Sequence, residues 1–129
     1  MNLQELQTVI TNKLPIKIFL INNQGYHSIR QTQSNLFKEH SKVGIGPESM
    51  DLDFPDYRKI ANAFGYKYYC ADSNEKMKKV VEKTLCADNP IFCEIFVSPE
   101  QFFEPKSATK KLPDGTLFSP PLEDMAPFL

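Results

Sequence analysis

Residues 14–26 have the sequence LPIKIFLINNQGY, in which two asparagines and a glycine close a short apolar run. Leu14-Pro15 ends any helix before it, because the residue preceding a proline is pushed out of the α region. The run at residues 16–21 is rich in β-branched side chains and nearly continuous. Such a run is typical of a strand that is covered on both faces of a parallel sheet. We therefore predict a well-buried parallel strand here, followed by a turn.

Apolar periodicity predicts alternating helices and strands on either side of that strand. The predicted helices cover about residues 1–13, 26–37, 53–65 and 73–89, and the other predicted strands cover 66–70 and 91–97. Asp53 is expected to cap the third helix, with Pro55 in its first turn, and residues 38–53 are expected to form a loop. This order predicts the α/β class: a three-layer parallel sheet with helices on both faces.

Length and charge limit the kinds of partner. A chain of 129 residues suggests one core, and 15 basic residues against 16 acidic ones leave a net charge of −1. No basic stripe is present, so we expect no nucleic acid and no membrane as partners. There is no signal-peptide pattern after Met1, and the three cysteines have no C-x-x-C spacing. We expect a cytoplasmic protein with reduced core thiols.

The two ends of the chain differ from an ordinary α/β domain. The chain starts on a helix with no strand before it, as if residues 1–98 were a partial domain cut within a βαβ unit. Residues 99–129 contain six of the ten prolines and have no helical or strand period, yet they hold many apolar side chains. A disordered linker is usually poor in such residues. We expect an irregular tail that packs on its own domain or on a partner; the alternative is a loose end left by truncation.

The turn after the first strand is the first place to look for chemistry. Ligands of open parallel sheets bind at the carboxyl ends of the strands, where Asn22 and Asn23 lie. An asparagine oxygen suits Mg²⁺, and Gly25 lets the chain turn closely. The helix that begins near Tyr26 would direct backbone N–H groups at a phosphate. A plain turn explains the same residues and remains the alternative.

Several stretches together resemble a known family. They are Leu3-Gln4-Glu5-Leu6, Leu14-Pro15-Ile16-Lys17-Ile18, Asn22-Asn23-Gln24-Gly25-Tyr26, Ile29-Arg30-Gln31-Thr32-Gln33, the helix at 53–65 and Pro90-Ile91-Phe92-Cys93-Glu94-Ile95. In order and spacing they resemble the second half of the thiamine-diphosphate motif in the C-terminal domain of the acetolactate synthase family and its pyruvate-decarboxylase-type relatives. The resemblance covers residues 1–98. The tail at 110–125 is similar to an acetolactate synthase-like subgroup linked with surface-glycan or unusual-sugar pathways.

The resemblance implies roles for particular residues. It implies that the Asn23 side chain and the Gly25 carbonyl bind Mg²⁺, which bridges the phosphates of thiamine diphosphate. Tyr26, His27 and Ser28 would line the diphosphate and the reacting end of the cofactor. His27 could be an acid–base group, or simply a helix-start residue whose backbone meets phosphate. Asn22 would brace the turn.

Other polar residues have simpler explanations. His40 is interpreted as a solvated loop residue. Asp51, Asp53 and Asp56 could form a carboxylate site, but loop and helix-cap roles explain them. Four lysines are expected on the solvent-exposed face of the fourth helix: Lys76, Lys78, Lys79 and Lys83.

The chain departs from the family pattern at its start. The Gly-Asp-Gly half of the motif would lie before Met1, and the pyrimidine-binding domain, which the family takes from a partner subunit, is also missing. The resemblance implies part of a homo-oligomeric enzyme that decarboxylates or carboligates 2-oxo acids, with this chain inactive alone and with no catalytic side chain of its own. The alternatives are a non-catalytic stand-alone interaction module derived from such a domain, and a small-molecule sensor.

Overall fold

The computed structural model describes residues 2–37 and 43–125, so His40 lies outside the described residues. The elements are α1 (Glu5–Thr11), β1 (Lys17–Asn22), α2 (His27–Phe37), α3 (Tyr57–Ala63), β2 (Lys67–Ala71), α4 (Asn74–Leu85), β3 (Ile91–Phe96), β4 (Lys110–Lys111) and β5 (Leu117–Phe118). By their internal contacts they form two compact units. Unit 1 is Met1–Asn23 with Phe54–Ser98, and unit 2 is Gln24–Asp53 with Pro99–Leu129.

A three-stranded parallel sheet forms the centre of unit 1. Its order is β1-β3-β2, and Glu94 of β3 is in register with Leu20 on one side and Cys70 on the other. The parallel α/β prediction is confirmed. The prediction that β1 is a well-buried strand is wrong: Phe19 and Ile21 are 37% and 56% exposed, whereas Ile91–Ile95 of β3 are all buried. An apolar run identifies a strand, but it does not say whether that strand lies at the centre or at an edge.

Helices cover both faces of this sheet. On one face, Ala61 of α3, Tyr66 and Phe92 form a buried cluster against which Leu6 and Val9 of α1 pack. On the other face, α4 packs on a second cluster, Ile91, Cys93 and Ile95. The three-layer arrangement is therefore confirmed. The four lysines of α4 are exposed, as its amphipathic pattern predicts.

The start of α3 differs from its prediction. The helix begins at Tyr57, and the side chain of Asp56 accepts a hydrogen bond from the Lys59 amide at 3.0 Å. The prediction that Asp53 is the cap, with Pro55 in the first turn, is wrong. Asp56 has an extended backbone and lies directly before the helix, so it is the carboxylate that can reach the orphan N–H groups.

The tail contains a small hairpin of two-residue strands, which the expectation of an irregular tail did not include. Strands β4 and β5 pair antiparallel around a turn at Asp114-Gly115. Leu112 donates to the Thr116 carbonyl at 2.8 Å, and Gly115 has a φ of +87°, which glycine adopts without strain. Within unit 2, Asn35 of α2 donates to the Thr109 carbonyl at 2.8 Å. The division into domains at residue 98 stays a prediction.

The cysteines differ in burial, and the helices are short. The three cysteines are free; Cys93 is buried and Cys70 half-buried, but Cys86 is exposed at the end of α4. The core-thiol prediction is therefore wrong for Cys86, which lies beyond the last apolar turn of the helix. Across residues 2–37 and 43–125, no helix is long and apolar enough to cross a membrane.

Candidate functional site

The carboxyl end of β1, in unit 1, is built around Asn22. Its side-chain amide donates a hydrogen bond to Oε1 of Glu94 at 2.5 Å, and its carbonyl accepts one from the Val97 amide at 3.0 Å. Glu94 is buried, so this bond lies in a low-dielectric setting and holds the amide firmly. The contacts are those of a residue that braces the strand end.

Glu94 also accepts a hydrogen bond from β2, the strand on the other flank of β3. The hydroxyl of Tyr68 in β2 donates to the second carboxylate oxygen of Glu94. Burial raises the pKa of Tyr68 above its ordinary value, and the hydrogen bond to the Glu94 carboxylate raises the pKa further. One buried carboxylate thus ties together β1, β2 and β3 where the strands end. Nothing in the spacing of these three residues signals this network; the strand order creates it.

In unit 2, the turn before α2 lies in direct backbone contact with residues 44–46. A Cβ on Gly25 would come within 1.9 Å of the Ile45 carbonyl oxygen, and one on Gly46 within 2.5 Å of the Gln24 carbonyl oxygen. The Tyr26 amide donates to that same Ile45 oxygen at 2.8 Å. Gly25 and Gly46 therefore allow the turn before α2 to contact residues 44–46. The Tyr26 amide already donates its hydrogen to the Ile45 carbonyl.

Arg30 organises the start of α2. Its Nε donates to Glu48 at 2.7 Å, its Nη2 to the Gln24 carbonyl at 3.3 Å, and its Nη1 lies 3.4 Å from Nδ1 of His27. A guanidinium can only donate, so this contact favours the His27 tautomer in which Nδ1 accepts and the ring hydrogen lies on Nε2. Arg30 is thus placed to favour one tautomer of the neighbouring histidine.

His27 carries a buried polar atom for which residues 2–37 and 43–125 provide no hydrogen-bond partner. The residue is 4% exposed, its ring packs edge-on against Phe103 at 4.7 Å, and among the described residues its Nε2 has no hydrogen-bond partner. Oε1 of Gln31, four residues along α2, is likewise buried and unpartnered within the part of the chain that the structure describes. A buried polar atom without a partner is costly, so a donor at Nε2 and an acceptor at Gln31 are suited to a polar ligand or an ordered water.

The predicted site residues all fall within positions 23–28, but they differ in setting. Asn23 is the half-buried last residue of the first segment of unit 1. In unit 2, Gly25 forms the close turn, the Tyr26 and Ser28 side chains are exposed at the start of α2, and that of His27 is buried. In residues 2–37 and 43–125 no cluster of three or more His, Cys, Asp or Glu is arranged to hold a metal.

Around His27 and the turn before it, the participants that were not predicted from the sequence include Arg30, Ile45 and Phe103. Arg30 was visible as a cation one turn after His27 on the same helix face. The contacts of Ile45 and Phe103 join parts of the chain that are distant in sequence, and no local pattern indicates them.

Comparisons with known proteins agree with this architecture. Residues 1–95 match the family described as thiamine pyrophosphate enzyme, C-terminal TPP binding domain. The acetolactate synthase large subunit of Pyropia yezoensis is 30% identical over 114 residues, which is 86% of this chain and 18% of the relative. The isozyme 2 large subunit of Escherichia coli (strain K12) is 31% identical over 97 residues, 75% of this chain and 17% of the relative. Chloroplastic acetolactate synthase 2 of Zea mays is 27% identical over 121 residues, 92% of this chain and 18% of the relative.

These findings define a cofactor-binding α/β domain of the thiamine-diphosphate (TPP) enzymes. The chain belongs to the family of C-terminal TPP-binding domains, whose cofactor is thiamine diphosphate. Its similar relatives are acetolactate synthases, and the chain spans about 18% of their length.

Proposed function

We propose that this chain supplies the thiamine-diphosphate- and Mg²⁺-binding part of an acetolactate synthase-like enzyme that decarboxylates or carboligates 2-oxo acids. In this proposal the start of α2 binds the diphosphate. The observation that carries it is the buried Nε2 of His27, in the first turn of an 11-residue helix, for which the described residues provide no hydrogen-bond partner.

Two independent features favour an anion at the start of α2. The first N–H groups of a helix have no intrahelical acceptor, and the helix dipole adds partial positive charge there. The His27 Nε2–H is a further donor that lacks a protein acceptor among the described residues. Arg30 is a positioning residue in this proposal, because its contact with Nδ1 keeps the hydrogen on Nε2. His27 binds and orients; no acid–base step is assigned to it.

We assign the Mg²⁺ ligands to Asn23 and Gly25. The Asn23 side-chain oxygen and the Gly25 carbonyl oxygen are neutral, hard donors of the kind that Mg²⁺ accepts. The Asn22 amide donates to Glu94, as expected of a residue that braces the strand end. A tight site also needs an anionic ligand and the phosphates themselves, which the cofactor and other parts of the enzyme would provide.

The chemistry of the reaction belongs to the cofactor, which supplies the electron sink for cleaving the bond next to a keto group. This chain contributes binding and orientation. The 2-oxo acid and a pyrimidine-binding domain from a partner subunit complete the proposed active site, in a cytoplasmic homo-oligomer. Accordingly, the 129 residues alone bind the cofactor weakly and do not turn over substrate.

The test is an NMR titration of the ¹⁵N-labelled chain with thiamine diphosphate and MgCl₂. We expect saturable amide shifts confined to residues 23–31, with an affinity near millimolar, about 4 kcal/mol of binding free energy. N23A should remove the Mg²⁺ dependence, whereas N62A, an exposed asparagine on α3, should leave it unchanged. Micromolar Mg²⁺-dependent binding would overturn the claim of weakness, and equal behaviour of the two variants would overturn the ligand assignment.

A second candidate is a non-catalytic interaction module derived from such a domain. The apolar surface of the tail favours it: Phe102, Leu117 and Leu122 are between 55% and 73% exposed. A monodisperse, monomeric chain that shows no shifts with thiamine diphosphate would support the module; aggregation of the isolated chain together with the expected shifts would favour the enzyme part.

A further inference from the structure

A cleft runs along the free edge of β2 in unit 1. Strand β2 pairs with β3 on one side, and no described strand pairs with its other side. The cleft has a volume of about 570 Å³; its floor is residues 66–70, and its walls are Arg58 and Asn62 of α3 and Val80 and Lys83 of α4. An unpaired strand edge presents a row of outward N–H and C=O groups. The cleft therefore exposes main-chain donors and acceptors between two helical walls.

The cleft is positively charged. Among the described residues, its lining includes three cations, Arg58, Lys67 and Lys83, and no carboxylate. The ion pairs found among the described residues involve none of the three. Each cation lies over a tyrosine ring instead: Arg58 is 5.0 Å from the centre of the Tyr68 ring, and Lys83 and Lys67 are 4.3 Å and 5.6 Å from that of Tyr69. The rings hold the cations without neutralising their charge.

These cations lie on two sides of the sheet. Tyr68 packs with the α1 and α3 face, and Tyr69 packs with the α4 face. Arg58 therefore belongs to one face, and Lys67 and Lys83 to the other. Side chains of an added strand would alternate between the same two faces. Neighbouring acidic residues on such a strand would meet Arg58 on one face and the lysines on the other.

We propose that the free edge of β2 binds an acidic, extended segment of a partner protein by strand addition. Main-chain hydrogen bonds to β2 provide the affinity, and carboxylates paired with Arg58 and Lys83 provide the selectivity. The cleft shares no lining residue with the set assigned to the cofactor, and the proposal does not depend on that set.

The experiment measures fluorescence anisotropy of the full chain with a fluorescein-labelled peptide of sequence TVEDEDVT. We expect binding that the double variant K67Q/K83Q weakens about tenfold or more. The matched control is K78Q/K79Q, which removes the same charge from exposed positions of α4 outside the cleft. Its effect should be below about twofold.

A second probe separates strand addition from simple charge attraction. The same peptide with alternate backbone amides N-methylated keeps its carboxylates but loses ladder donors, so it should bind about tenfold more weakly. The proposal is overturned if the unmodified peptide does not bind, if N-methylation has no effect, or if both double variants weaken binding equally. Equal displacement of the peptide by a thymidine oligonucleotide would also overturn it, because the cleft would then select negative charge alone.

Discussion

Gly25 and Ile45 are in backbone contact: a Cβ on Gly25 would lie 1.9 Å from the Ile45 carbonyl oxygen. That oxygen also accepts the Tyr26 amide hydrogen at 2.8 Å. The turn that carries the proposed Mg²⁺ ligand is therefore shaped by residues 20 positions further along the chain. Any side chain at position 25 must separate the two loops.

We predict that G25A destabilises the protein by about 2–4 kcal/mol, because the loops must part and the Tyr26–Ile45 hydrogen bond is lost. Urea unfolding followed by circular dichroism measures this. G44A is the control: Gly44 has a φ of +65° but open space at its Cβ, so only backbone strain of about 1–2 kcal/mol is expected there. A G25A variant no less stable than G44A would contradict the close contact.

The Tyr68–Glu94 pair predicts a particular pH dependence. Because folding raises the pKa of Tyr68 above its ordinary value of 10.0, this tyrosine contributes stability in full below pH 10 and loses it as the pH rises further. Near pH 8, Y68F should lower the free energy of unfolding by about 1–3 kcal/mol. The difference in unfolding free energy between Y68F and wild type should shrink above about pH 10.

Denaturant unfolding of both proteins between pH 8 and about pH 11 tests this, with Y69F as a variant that retains the Tyr68–Glu94 hydrogen bond. A gap between wild type and Y68F that stays constant or widens with pH would show that the Tyr68 proton is not held by the fold.

Mutating Arg30 should destabilise the protein more than mutating its ion-pair partner Glu48. Arg30 is 13% exposed and contacts Glu48, the Gln24 carbonyl and His27, whereas Glu48 is 40% exposed. We expect R30Q to destabilise by about 1–3 kcal/mol and E48Q by less than about 1 kcal/mol. Thermal unfolding of the two variants measures the difference. Equal losses would mean that the exposed ion pair, and not the set of buried contacts, holds the start of α2.

Thiol reactivity should follow burial. Cys86 is exposed, whereas Cys93 is buried, and burial raises the pKa of the Cys93 thiol above its ordinary value. With Ellman's reagent we expect one fast thiol, which C86S removes, and a Cys93 that reacts only after denaturation. A rapid reaction at Cys93 in the native protein would contradict the packing of β3 against α4.

The sequence predicted the α/β order and the main helices because their apolar periods are strong and local. It misplaced β1, because a continuous apolar run does not specify strand order, and the order β1-β3-β2 leaves Phe19 and Ile21 partly exposed. The sequence pattern did not distinguish Asp53 from Asp56 as the helix cap, because both are aspartates close to Pro55. The hairpin was detectable: Asp114-Gly115 is a strong turn signal that the many prolines of the tail obscured.

The candidate site could be predicted only where its residues are neighbours in the sequence. Residues 22–28 form one local motif, and this motif is part of the stretch that resembles the family. The Glu94 network and the contact of His27 with Phe103 are non-local, because they join residues 72 and 76 positions apart. Such pairs arise only when the chain folds, and a single sequence carries no period or spacing that reveals them.

The most direct test of the central claim is a long-range ¹H–¹⁵N NMR spectrum of the His27 imidazole, recorded with and without thiamine diphosphate and MgCl₂. We predict that the ring hydrogen lies on Nε2 in the free chain and that the Nε2 resonance moves saturably as the cofactor is added, whereas thiamine without phosphates leaves it unmoved. A ring hydrogen on Nδ1, or an Nε2 resonance that stays fixed while other residues show binding, would contradict the proposed diphosphate site.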